Sequence, residues 1–151
     1  MITLRNFDAG DCEFLCACFR PGMTAGEAMS LVDEWDQKSY KGSYFEQFAI
    51  CSDAQPVGWI SLYAPNAPTV GVGFEVIEHE RRKGYCYQAV ALVLEYAKNL
   101  GYKTAFSQVR KNNAASIGLH EKCGFAVTGE CVSARGNAVF LYEKDLENNL
   151  S

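Results

Sequence analysis

No stretch of the chain is apolar over the roughly 20 residues that a membrane-crossing helix needs, so no partner in a bilayer is expected. Positive charge is not in excess either: 14 Lys and Arg stand against 18 Asp and Glu, a net charge of -4. A general nucleic-acid binder is usually basic, so nucleic acid is not an expected partner. Residues 1–8 carry no long apolar leader, and a Cys-x-x-Cys knuckle is missing. Cys12, Cys16 and Cys18 cluster, but without that spacing and without a nearby histidine they do not make a metal site; no metal is expected. The seven cysteines are odd in number and irregular in spacing, which argues against a disulfide framework. They are expected to be reduced thiols in a cytoplasmic protein, serving mostly as small apolar packers. What is present is ordinary: 151 residues, 48% hydrophobic and 21% charged, enough for one domain with its own core.

Local patterns predict the elements. Residues 2–6 form a short strand, and Asp8 offers an N-cap to a helix running to about Phe19. Pro21-Gly22 breaks the chain. Thr24 and Glu27 form a capping box, in which a hydroxyl caps a later N–H and a carboxylate reaches back. A helix over 25–37 follows, with Met29, Val32 and Trp35 on one face. Residues 44–52 and 57–64 make a hairpin around the turn Asp53-Ala54-Gln55-Pro56. Residues 69–77 alternate Val70, Val72, Phe74 and Val76 on one face. Gly71 and Gly73 lie on the other, where they suit close backbone approach. Val90, Val93, Leu94 and Ala97 have helical spacing within 84–100, and Gly101 is a natural stop. A strand over 104–109, a short helix from Asn113 to about Cys123 and a hairpin of 125–132 with 138–143 complete the chain. The acidic, Asn-rich tail is expected to fray. This order predicts a mixed α/β (α+β) domain with a mostly antiparallel sheet, helices on its faces, and parallel strands joined by the helix over 84–100.

Two segments carry chemistry. Arg81-Arg82-Lys83-Gly84-Tyr85-Cys86 stands between a strand and a helix. The first N–H groups of a helix lack helical partners, and the helix dipole favours negative charge there. Gly84 lets the backbone approach a ligand, and three cations add charge, so the turn suits phosphate. No Gly-Lys-Ser/Thr follows, so it is not a P-loop, and in isolation a basic surface turn fits as well. The second segment is Asn113-Ala-Ala-Ser116-Ile-Gly-Leu-His120-Glu-Lys122-Cys-Gly124-Phe125. It supplies an amide at a helix start and, seven residues on, an imidazole that titrates near neutrality. The two suggest an enzyme that grips a phosphorylated cofactor and moves a proton beside it.

Together these segments resemble the GNAT N-acetyltransferases. Residues 81–86 are similar to the family's pyrophosphate motif, Gln/Arg-x-x-Gly-x-Gly/Ala. They match at Arg81 and Gly84 and depart at Cys86, where a small thiol replaces Gly or Ala. Gly73-Phe-Glu-Val-Ile77 resembles the family's bulged fourth strand. Residues 113–125 resemble its second motif, in the form Asn-x-x-Ser-x-x-Leu-His-Glu-Lys-x-Gly-Phe. The order of elements agrees over nearly the whole chain, and the phosphinothricin-type and ribosomal-protein-modifying branches look most similar.

The resemblance implies a GNAT-like sheet with a central V-shaped splay and acetyl-CoA as acyl donor. It implies that the backbone of Phe74, Glu75 and Val76 pairs with the pantetheine arm. The diphosphate would be held by the turn of Arg81, Arg82, Lys83, Gly84, Tyr85 and Cys86, through N–H groups from Arg82 onward. Asn113 and Ser116 would lie near the cofactor arm, although Asn113 is also a good helix N-cap in its own right. His120 occupies a position where many relatives carry a tyrosine acid, and is the candidate to protonate the leaving thiolate. Glu75 is the candidate base, with an ordinary exposed carboxylate as the alternative.

The acceptor is less legible. The family commonly lines its acceptor site with the first helices and the last hairpin loop. Here those helices carry Asp8, Asp11, Glu13, Glu27, Asp33, Glu34 and Asp36, which suit a cationic amine or simply a solvated face. Trp35, Trp59, Tyr63 and Tyr44 suit either pocket walls or core. The expected function is acetyl transfer to a primary amine of a small molecule. Acetylation of a protein N-terminus and a non-catalytic acyl-CoA-binding module stay open. Edge strands and the final hairpin make a homodimer a reasonable assembly.

Overall fold

Capping and alternation decide most of the elements in the computed structural model, which describes residues 1–147. The end of the tail expected to fray, residues 148–151, lies outside the described residues. β1 (Ile2–Asn6) leads into a 3-10 turn, Ala9–Asp11, in which the Asp8 carboxylate accepts from Gly10 N–H and Asp11 accepts from Asp8 N–H. The chain continues as one helical turn, α1 (Cys12–Phe14), and widens into a π segment, Leu15–Phe19. Arg5 clamps this segment to β1 with two bonds to the buried Asp11 carboxylate, at 2.7 and 2.9 Å. The Thr24–Glu27 capping box opens α2 (Ala25–Asp36), with both bonds at 3.1 Å. The buried face of α2 is Ala28 and Val32, with Leu31 and Trp35 packed beside them; Met29 is 38% exposed, contrary to the sequence expectation.

The remaining elements are β2 (Ser39–Tyr40), β3 (Ser43–Ser52), β4 (Gln55–Ala64), β5 (Thr69–Val76), α3 (Tyr85–Asn99), β6 (Thr104–Arg110), α4 (Ala114–Lys122), β7 (Ala126–Val132) and β8 (Ala138–Asp145). β2 and a 3-10 turn at Glu78–Glu80 were not legible in the sequence, because two or three residues show no period. The strands form one sheet in the order β1-β3-β4-β5-β6-β8-β7, with β2 on β3. The β5–β6 pair is parallel and is joined by α3; the other pairs are antiparallel. Among the described residues no helix is long and apolar enough to cross a membrane.

The sheet has two covered faces. On one, Val70, Val72, Val76, Ile60 and Leu62 pack against Ala89, Val90, Val93 and Ala97 of α3. On the other, Ala49 and Cys51 pack against Leu15, Ala28 and Val32. Glu46 is buried on the α3 face, where it accepts from Tyr44, from Tyr96 at 2.9 Å and from Asn6 at 3.0 Å, and faces Lys38. Burial alone would raise its carboxyl; the three hydrogen bonds and the ammonium outweigh that and hold it below its ordinary value. One buried carboxylate thereby ties β1, β3 and α3 together.

The centre of the sheet opens. β5 and β6 pair from Thr69↔Thr104 to Gly71↔Phe106 and then part. β5 stays on β4 as far as Val76↔Gly58, and β6 stays on β8 as far as Arg110↔Val139. A V-shaped splay therefore lies between residues 72–76 and 107–110. The expected bulge is not in this strand: β4 and β5 keep a regular register, and the irregularities fall at Ile50/Cys51 and at Val127/Gly129. A missing side chain makes the room instead. A Cβ on Gly58 would lie 2.2 Å from Glu75 O and 2.9 Å from Val76 Cα. Gly58→Ala is therefore expected to lower stability by about 2 kcal/mol, as overpacking against backbone does. Chemical denaturation checks this, and an unchanged midpoint would contradict it.

Candidate active site

The turn after β5 is built to leave its amides open. Arg81 Nε donates to Val76 O at 2.8 Å, and the Arg81 guanidinium lies 3.8 Å from the Glu75 carboxylate, which fastens the turn to the end of the strand. Arg82 and Gly84 both take left-handed backbone, with φ of 68° and 78°. Gly84 is the N-cap of α3 and has no side-chain cap, and the first backbone bond into the helix runs from Gln88 N–H to Gly84 O. A Cβ at Gly84 would meet nothing within 4 Å, so open space lies over it. The N–H groups ahead of Gln88 thus begin α3 without helical partners, at its positive end.

Each predicted residue of this turn has a definite place. Lys83 is engaged by Glu80 at 3.1 Å, and Arg82 is exposed. The Tyr85 hydroxyl accepts from Ser52 at 3.3 Å, anchoring the first turn of α3 to β3. Cys86 packs against the core, and burial pushes its thiol up to about 11, so it stays protonated. The residue types present fit a diphosphate: open amides, a glycine with free space above it and an exposed arginine.

The second motif lies beneath the apex of the splay. Asn113 Oδ1 accepts from Ser116 N–H at 3.1 Å and caps α4. The Ser116 carbonyl lies 2.8 Å from His120 Nδ1, and Ser107 Oγ lies 2.9 Å from His120 Nε2 and 3.3 Å from Val72 O. A carbonyl can only accept, so Nδ1 carries the proton and Nε2 accepts from Ser107. His120 is 3% exposed and stacks on Phe74 at 5.5 Å, with Phe125 and Tyr142 also against it. Burial lowers its pKa, against a smaller opposing effect of the Ser116 carbonyl. Ser107, which reaches both walls of the splay, was missed from the sequence because a lone serine in a strand carries no motif.

The opposite face belongs to other side chains. Glu75 pairs with Trp59 across β4 and β5, on the side of α1 and α2, as does Gly73 with Ser61. Trp59 packs on Phe19 at 4.9 Å, and Phe19 on Trp35 at 5.3 Å. Tyr44 is not in this group: it lies on the α3 face, bonded to Glu46 and stacked on Tyr102. Beside β3, a cavity of about 490 Å³ is lined by Trp35, Tyr40, Phe45, Glu34 and Gln47, and the buried Gln47 Oε1 has no hydrogen-bond partner among the described residues. It is two strands away from the splay. Among the described residues no three His, Cys, Asp or Glu side chains are grouped to hold a metal ion.

A family model described as an acetyltransferase (GNAT) domain matches residues 2–126. The chain belongs to the GNAT acetyltransferase family. GNAT acetyltransferases use acetyl-CoA as acyl donor. A prophage-derived uncharacterized N-acetyltransferase of Bacillus subtilis is 31% identical over 64% of this chain and 56% of its own length. An L-methionine sulfoximine/L-methionine sulfone acetyltransferase of Pseudomonas aeruginosa is 34% identical over 41% of this chain and 36% of its own length. The matched stretch thus spans little more than half of the first relative and about a third of the second. Among solved structures, a spermidine N-acetyltransferase from Vibrio cholerae in complex with CoA and spermine superimposes with a TM-score of 0.79 at 18% identity, covering 99% of this chain and 98% of that one. Mycobacterium smegmatis RimJ in complex with CoA-disulfide gives 0.84 at 16% identity, covering 99% and 84%. At these identities the likeness is one of GNAT fold.

The buried imidazole makes stability depend on pH. The unfolded chain takes up a proton on His120 as pH falls through 6.5, whereas the folded chain resists it. Folding is therefore not penalised above 6.5 and is weakened as pH drops below it, whereas Glu46 and Asp11 act further down, below 4.5 and 3.8. Denaturation between about pH 7 and about pH 5 should show stability falling with acid, and less so in His120→Phe. An equal slope in both proteins would contradict the buried neutral imidazole.

Proposed function

We propose that the protein is an acetyltransferase that moves the acetyl group of acetyl-CoA to a primary amine of a small molecule. The observation that carries this reading is that the splay and the open start of α3 adjoin: an unpaired strand edge ends beside a row of unpaired amides. Bound there, acetyl-CoA supplies an acyl thioester that an amine nitrogen attacks, the carbon–sulfur bond breaking as the carbon–nitrogen bond forms. The amides from Arg82 to Cys86 and on to Tyr87 hold the diphosphate, with Arg81 fastening the turn and Lys83 adding charge. The backbone of Phe74, Glu75 and Val76 hydrogen-bonds an extended amide arm, as an added strand would. Asn113 and Ser116 fix the start of α4 beside it.

In this reading the leaving sulfur is protonated from the imidazolium form of His120: Nε2–H gives its proton to Ser107 Oγ as the Ser107 hydroxyl gives its own to the sulfur, and the neutral imidazole that burial favours is left behind. Burial makes its imidazolium a stronger acid but a rarer one at neutral pH. Glu75, on the other face, takes the proton that the amine sheds. The small amines named among the similar proteins, two methionine derivatives in one and spermidine and spermine in another, support a small acceptor. The seven free thiols suit a cytoplasmic setting, and the exposed edge strand β7, with Val127 and Val132 outward, suits a second copy of the chain. A second reading, an acyl-CoA-binding module without turnover, draws on the burial of His120 and the use of both its nitrogens.

Thiol release from acetyl-CoA, measured over a panel of small amines and peptide N-termini, separates these readings. Acetyl transfer to a small amine is expected. His120→Phe should lower kcat about 100-fold, in the range that removal of a general acid costs, and leave KM for acetyl-CoA within about twofold. Glu75→Gln should lower kcat/KM for the amine most at low pH. Binding of acetyl-CoA with no release on any acceptor would favour the module, and unaltered turnover would remove either residue from the mechanism.

A further inference from the structure

The strand across the splay from Glu75 ends in an arginine that the fold does not use, and a second arginine lines the same pocket. Arg110 ends β6 and Arg135 stands in the turn between β7 and β8; both are exposed, and neither has an ion-pair partner among the described residues. With Gln108, Ser133 and Asn137 they line a pocket of about 310 Å³. The turn that presents Arg135 is closed on itself. Ser133 N–H donates to Asn137 O at 2.8 Å, Gly136 N–H to Ser133 O at 2.8 Å, and Asn137 N–H to Ser133 Oγ at 3.2 Å. Glu130 on the neighbouring strand is taken by Lys111. Two guanidiniums therefore line one pocket without a counter-charge, an arrangement that repels cations and favours an anion between them.

Their place relative to the splay gives this meaning. Extended along both strands, the register that pairs Gly71 with Phe106 sets Glu75 level with Arg110 on the same face of the sheet. Glu75, held by Arg81, thus ends the β5 side of the opening, and Arg110 ends the β6 side, with Arg135 of the β7–β8 turn lining the same pocket as Arg110. Hydrogen-bond donors and acceptors from Gln108, Ser133 and Asn137 complete the basic side.

We propose that Arg110 and Arg135 bind a carboxylate of the acceptor, so that the substrate is an amino-acid-like zwitterion with its amine directed into the splay. The planar guanidinium fork matches a carboxylate in two parallel bonds, which an ammonium cannot do. A polyamine has no group for this pocket and is disfavoured there. The proposal rests on the acetyl-transfer reading and narrows it to an acceptor class.

The test compares amino acids with their decarboxylated amines: L-methionine against 3-(methylthio)propylamine, L-phenylalanine against phenethylamine and L-lysine against cadaverine, with spermidine alongside. The acid of each pair should be preferred in kcat/KM by about tenfold or more. Arg110→Gln and Arg135→Gln should each raise KM for the acid more than they lower kcat, and shrink that preference about tenfold. Equal use of acid and amine, or a preference for the amine or spermidine, would overturn the proposal. So would a KM for acetyl-CoA that rises in step, since the arginines would then serve the phosphates of the donor. No turnover with any amine would instead defeat the acetyl-transfer reading, and binding then decides. Thermal stabilisation by L-methionine in the wild type but not in the double variant would keep the carboxylate site, and no stabilisation in either would end it.

Discussion

The structure depends on the parting of β5 from β6 after Gly71. Backbone groups in the middle of a sheet are normally paired, and leaving a row of them open is tolerated where water or a ligand can reach. Three features define the shape of the opening. Gly58 lets β5 follow β4 to its end, in a space that a methyl group would fill. Ser107 reaches from β6 toward Val72 O at the apex. His120 sits beneath, wedged against Phe74, Phe125 and Tyr142. The same strand delivers the chain to α3, and the bond from Arg81 to Val76 O fixes the distance between the splay and the helix start.

The two faces of the splay differ in chemistry. On the α3 side lie the open amides and the neutral, buried imidazole. Cys86, the thiol nearest the amide turn in sequence, is kept protonated by burial and so is a poor competing nucleophile. On the α1 and α2 side lie Glu75, two glycines without side chains and an aromatic cluster, with Arg110 at the end of the facing strand. In the proposed reaction, donor and acceptor approach from opposite faces and meet at the gap. The Glu46 network and the Arg5–Asp11 clamp lie away from it and hold β1, β3, α3 and the first helical segment as a rigid frame.

Much of this frame was legible in the sequence because it rests on local rules. The Thr24–Glu27 box, the alternation of Val70, Val72 and Val76 and the helical spacing of Val90, Val93 and Ala97 each point to one element, and each formed. The position of the turn 81–86 between β5 and α3 was legible from Gly84 and the end of the apolar run before it, whereas its reading as a phosphate cradle came from the family resemblance, since a basic surface turn fits the same residues. Features that depend on distant partners were not. Met29 shares a nominal helix face with Val32, but contact with Leu15 and Ala49 selects Ala28 instead. Gly58 looks like any strand glycine until Glu75 arrives against it. Ser107 meets His120 only because α4 brings the imidazole beneath it, and Arg110 shares a pocket with Arg135 only because the final hairpin folds back. Tyr44 was grouped with aromatics that the pleat sends to the other face.

In the proposed reading the open start of α3 and the adjoining splay together hold acetyl-CoA. Thermal unfolding with saturating acetyl-CoA, set against free CoA and against NAD, tests it most directly. A ligand that binds only the folded state must raise stability, by about 2.7 kcal/mol at a hundred times its Kd. NAD offers a diphosphate without the pantetheine arm, so it asks whether the splay contributes. A clear upward shift is expected with acetyl-CoA and with CoA, and none with NAD. No shift at saturating acetyl-CoA would contradict it, and would leave residues 81–86 as a basic surface turn.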